Sequence, residues 1–144
     1  MEKNSIFKES KFEKTYLAGF HVLVIIFLGL LFVLNKEWLR PQFGEESFFT
    51  VVLGALPNFL GAIIGGALVV VFAFRLEKLK GHVLMIFSAI MISAFLIYEE
   101  KYPQFLASKV TDVYDIYASV LGAITLLIYY FILREFWERS KSKK

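Results

Sequence analysis

Four side chains near the end of the chain have types and spacing that suit chemistry. Asp112, Asp115, Ser119 and Gly122 recur at intervals of three, four and three, which places them on one face of a helix. Glu99 and Glu100 precede them across a short polar stretch. If two helices flank that stretch, the four acids meet at one mouth. Carboxylates there could hold a cation, or an amine- or sugar-bearing headgroup. They could also handle protons as a pair, because a low-dielectric site drives two carboxyl pKa values apart. A hydrolase or transferase built on them needs two acids within reach of one substrate atom, and so no more than about 10 Å apart. The structural alternative is capping, since acids in a first helical turn satisfy exposed amides and the helix dipole. Asp112 fits that role well. Asp115, one turn deeper, fits it less, and it aligns with Ser119 and Gly122. At least one of Glu99 and Glu100 is expected to be solvated. Lys109 is the local counter-ion, and Asn58 is a neutral hydrogen-bonding candidate for the same mouth, or else a bridge between helices.

The elements that must position these groups are membrane helices. Hydrophobic residues make up 58% of 144, against roughly 45–50% for a soluble domain, and the excess lies in long uncharged runs. The expected fold is all-α: a polytopic membrane protein with four transmembrane helices over about 16–35, 57–76, 79–98 and 112–134. Residues 1–15 form a polar N-terminal segment, with a Ser10–Glu13 capping box entering the first span. Residues 16–136 are the membrane domain, and 137–144 a basic tail. The first run is read as a retained span, because Asn35-Lys36-Glu37-Trp38 follows it and no small-residue cleavage site does. Pro41 and Gly44 are expected to break the helix after it. The apolar stretch from Phe48 to Phe74 is too long for a ~30 Å hydrocarbon core. Pro57 is expected to divide it into a short interfacial helix over 48–56 and the second span, with one long helix kinked at Pro57 as the alternative.

Twelve of the sixteen Lys and Arg lie in the N-terminal segment, the 75–81 turn and the last residues. This bias predicts both termini in the cytoplasm of a bacterial inner membrane. The loops at 35–47 and 99–111, with the acidic mouth, then face outward. Small residues four apart predict close helix contacts at Gly61/Gly65, Ala62/Gly66 and Ala118/Gly122. The first and last of these pairs are also candidate surfaces for a homo- or hetero-oligomer. His21 stands alone in the first span and suits an interhelical hydrogen bond. His82 sits at an interface.

Several functions are excluded. The chain has no cysteine, so it has no thiolate metal site, disulfide or Cys nucleophile. It lacks a phosphate loop, His-Glu-x-x-His and Gly-x-Ser-x-Gly. No acid sits in the first span, as a small proton-coupled exporter needs, and four spans leave little for alternating access. No metal, cofactor or nucleic acid is expected. The expected partner is membrane lipid or a lipid-linked envelope component.

The outer loop and fourth helix together resemble the VanZ-like family of small bacterial membrane proteins. That family pattern has an acid ending one helix, a loop with Arg-x-Phe-Asp, then Asp-x-x-x-Asn entering a Gly-containing helix. Glu99 or Glu100 matches the first acid, Lys109-Val110-Thr111-Asp112 the loop, and Asp115 to Ser119 with Gly122 the helix start. Leu56-Pro57-Asn58-Phe59 is similar to the motif that opens a span in many members. Lys109 stands where arginine is usual, which loses a bidentate fork, and Ser119 stands where asparagine is usual. The resemblance covers most of 54–133. It implies a four- or five-helix envelope protein, some of whose relatives are linked to low-level teicoplanin resistance.

Overall fold

The structure, a computed structural model, describes the backbone of residues 3–42, 48–102 and 112–142, and the side chains of 16–42, 48–102 and 112–140. The described residues are helical almost throughout. Helix α1 spans Lys3–Leu34 and runs directly into a π-helical turn, Asn35–Leu39, and a 3-10 turn, Arg40–Gln42. Helices α2 (Phe48–Ala73), α3 (Lys78–Lys101) and α4 (Val113–Ser142) follow. Four stretches are long and apolar enough to cross a membrane: Tyr16–Gln42, Phe48–Ala73, Lys78–Lys101 and Val113–Ser140. The chain is a multi-pass membrane protein.

Helix α2 packs against each of the other three, and its pairing with α4 is the most extensive. Glycine sets the distance. A Cβ on Gly122 would lie 2.4 Å from the Phe59 carbonyl oxygen and 2.9 Å from Ala62 Cβ. A Cβ on Gly66 would overlap Leu126. These pairings rise together along both helices, so α2 and α4 run parallel. Gly61 and Gly65 face Leu96 and Ile92, an order that makes α3 antiparallel to α2. The small-residue faces expected to mark helix contacts, Ala62/Gly66 and Ala118/Gly122 among them, are used inside the chain. Below them lies the core cluster of Val70, Ala73, Phe74, Met85, Leu126 and Tyr130.

Helix α1 is peripheral and presents Phe20, Leu23, Phe27 and Leu30 outward. Two polar side chains, both fully buried, pin it. His21 Nδ1 donates to the Leu17 carbonyl at 2.8 Å, so in the neutral ring Nε2 is the acceptor. Tyr129 Oη of α4 donates to it at 3.1 Å, the interhelical bond expected of His21. The second pin is Asn35, whose Nδ2 donates to the Leu53 carbonyl at 2.8 Å.

That bond explains the main departure from expectation. Pro57 lies inside α2 and does not divide it, and no separate helix over 48–56 is present. A proline lacks the N–H that would bond the carbonyl four residues back. For Pro57 that carbonyl is Leu53, the one that Asn35 serves. Inside a membrane, a neighbouring helix can re-satisfy a group freed by proline, and α1 does so here. Three helix ends also differ. Nothing between Lys3 and Ser10 breaks a helix, so Ser10 lies within α1 and caps no terminus. Where a break was expected from Pro41, the helix continues through a wider π turn and then a tighter 3-10 turn; Gly44 lies outside the described residues. Helix α4 outruns its apolar segment to Ser142, supported by Arg134–Glu138 and Lys78–Glu135 ion pairs at 2.9 and 2.6 Å.

Candidate functional site

The acidic mouth forms where α3 ends and α4 begins. Asp112 is the N-cap of α4: its Oδ1 accepts the Tyr114 N–H at 2.9 Å, and its carbonyl accepts the Asp115 N–H at 3.1 Å. In a capping box the acid three residues on would reach back to the cap's own N–H. That acid is Asp115, but the position is taken. The Asp112 N–H donates instead to Glu100 Oε1 of α3 at 2.8 Å. Glu100 thus closes α4's first turn from another helix, and Asp115 is released from capping.

Asp115 is half-buried. Its Oδ1 is sealed from solvent and accepts no hydrogen bond from the described residues. Asn58 of α2 hydrogen-bonds the same carboxyl, while Glu100, Asp112 and Arg40 stand close enough to act on its charge. The structure therefore brings Asp115, Asn58, Glu100 and Asp112 together.

Glu99 and Glu100 are each only 3% exposed, so neither is solvated, contrary to expectation. The loop returning to α4 needs an acceptor for Asp112, and Glu100 is drawn inward to supply it. Ser119 also faces inward, 1% exposed, with its hydroxyl donating to the Asp115 carbonyl at 2.8 Å. That bond uses its one donor. Lys109 and Thr111 lie outside the described residues. Among the described residues no group of three or more His, Asp or Glu is arranged to hold a metal.

Arg40 was not singled out from the sequence. Its Nη2 lies 3.7 Å from where a Cβ on Gly54 would stand, and Gly54 is one turn before Asn58 on α2. The missing side chain at 54 makes the slot. The only sequence signal was an arginine in a stretch otherwise rich in acids. Beside the cluster, an apolar groove of about 320 Å³ separates the first turns of α2 and α4, lined by Phe48, Val52, Phe59, Tyr114, Tyr117 and Leu121 among others.

Chemically, the site offers one unbonded carboxylate oxygen, a side-chain amide and a nearby guanidinium, next to an apolar groove. Glu100 and Asp112 are engaged in joining α3 to α4. Asp115 is the acid with capacity left. No protein-family model, curated protein or solved structure matches the chain.

Proposed function

We propose that this chain is a bacterial inner-membrane protein of the VanZ-like type whose acidic cleft binds a cell-envelope component through Asp115. Both termini lie in the cytoplasm, as the distribution of Lys and Arg favours, so the cleft faces outward. The first turns of α2, where Phe48 and Phe49 are exposed, lie in the interface. The ligand is a lipid or lipid-linked molecule whose headgroup carries amine or hydroxyl donors. Its chain occupies the groove beside Tyr114 and Tyr117.

The observation that carries this reading is the sealed, unbonded Oδ1 of Asp115. A buried acceptor with no partner is costly, and an acid at membrane depth is by default functional. Asn58 and Glu100 support Asp115, and Arg40 balances its charge. The test is Asp115→Ala in a strain whose glycopeptide susceptibility depends on the protein. Loss of the teicoplanin phenotype at unchanged abundance is expected, together with loss of a co-purifying lipid in native mass spectrometry. Unchanged susceptibility and unchanged lipid retention would refute the proposal.

A further inference from the structure

Asn35 docks the end of α1 on α2. It is fully buried, and it begins the π-helical turn that ends α1. Its amide donates to Leu53, the carbonyl that Pro57 leaves without a helical donor. The π-turn has a second consequence. Five residues of regular α-helix advance about 140° beyond a full turn, which would carry residue 40 well off the face of residue 35. Here the Arg40 N–H bonds the Asn35 carbonyl, an i→i+5 closure that brings Arg40 back over Asn35. One residue therefore meets α2 at Leu53, and the other at the adjoining Gly54.

We infer that Asn35 is a positioning residue: by docking α1 on the carbonyl opened by Pro57, it sets Arg40 over Gly54 and Asn58 beside Asp115. The inference rests on the reading of Asp115 as the ligand-binding acid. The Asn–Pro pairing makes the position specific. A residue that only packed would be indifferent to what stands at 57, whereas Asn35 answers a vacancy that proline alone creates.

The test uses the full chain in detergent micelles, where the lack of native cysteine makes one introduced thiol unique. In Gly54→Cys the thiol sits under the Arg40 guanidinium, and its maleimide labelling rate reads whether α1 is docked. Adding Asn35→Ala is expected to speed labelling roughly three- to tenfold, the range for one interhelical hydrogen bond in a membrane, and to lower Tm. Without the reporter, the Tm loss from Asn35→Ala is expected to fall by at least about half when Pro57→Ala restores a backbone donor. Unchanged labelling, or an equal Tm loss with and without Pro57, overturns the inference. Lipid retention separates the two proposals. If Asp115→Ala keeps its lipid, the binding reading fails. If Asp115→Ala loses it while the Asn35–Pro57 coupling is absent, only the positioning role of Asn35 fails.

Discussion

A charged side chain turns inward at each end of the bundle, buried Arg134 at one and half-buried Asp115 beside Glu99 and Glu100 at the other, and the two are treated differently. Arg134, 4% exposed, donates through Nη1 and Nη2 to the carbonyls of Ala73 and Leu76, each at 3.2 Å. The first belongs to the last residue of α2, where it also accepts the Leu76 N–H at 3.3 Å, and the second to the turn that follows. Its Nε stands 2.9 Å from Glu138, and its plane lies 5.3 Å from the centre of the Phe74 ring. Nε makes no hydrogen bond of its own, and Glu138 answers its charge as an ion pair. At the other end Asp115 keeps a sealed oxygen with no bond from the described residues, although Glu100 and Asp112 beside it are both bonded. A buried charge bonded to the backbone of another element holds structure together; a carboxylate oxygen without a bond is left for something else.

The largest expected effect tests the closed end. Arg134→Ala strips two carbonyls and Glu138 of their partner at once, and should cost about 3 kcal/mol, read as a drop in Tm of the purified protein. Gly81→Ala comes next. Its Cβ would meet the Ala73 carbonyl oxygen at 2.6 Å and Tyr130 Oη at 2.7 Å, so α2 and α3 must part, at about 1–3 kcal/mol. Gly54→Ala at the open end is its counterpart: the nearest atom is the tip of Arg40 at 3.7 Å, and stability should stay within about 0.5 kcal/mol. Tyr129→Phe removes the bond to His21 and should cost about 0.6 kcal/mol. The smallest effect on stability is expected from Asp115→Ala, near zero in Tm, with bound lipid lost. A large Tm drop there would place Asp115 in the same structural class as Arg134 and dissolve the contrast.

Much of this was legible in the chain. Four spans followed from uncharged length, and the packing stripes from small residues four apart. Capping by Asp112 followed from an acid at a helix entry. What sequence could not supply were partners from distant segments. Pro57 reads locally as a break, because the donor that keeps α2 whole comes from Asn35, eighteen positions before the Leu53 carbonyl it serves. Nothing in the chain told which of Glu99 and Glu100 turns inward; both do, and Glu100 takes the Asp112 N–H from across the loop. Arg40 counted only toward topology, since nothing in a linear chain shows that a π-turn brings it over Gly54. Local rules captured what each element is; which of its leftover groups another element would answer was settled only by assembly.

The parallel union of α2 and α4 has a consequence for biogenesis. These spans are not neighbours in translation, yet Gly122 against Phe59 and Gly66 against Leu126 is where backbones come nearest. Until the last span leaves the ribosome and enters the bilayer, α2 carries a bare glycine seam and a proline in lipid, steadied by α1 and α3 alone. Assembly is thus gated by the insertion of α4, and an intermediate halted before it would leave that seam exposed.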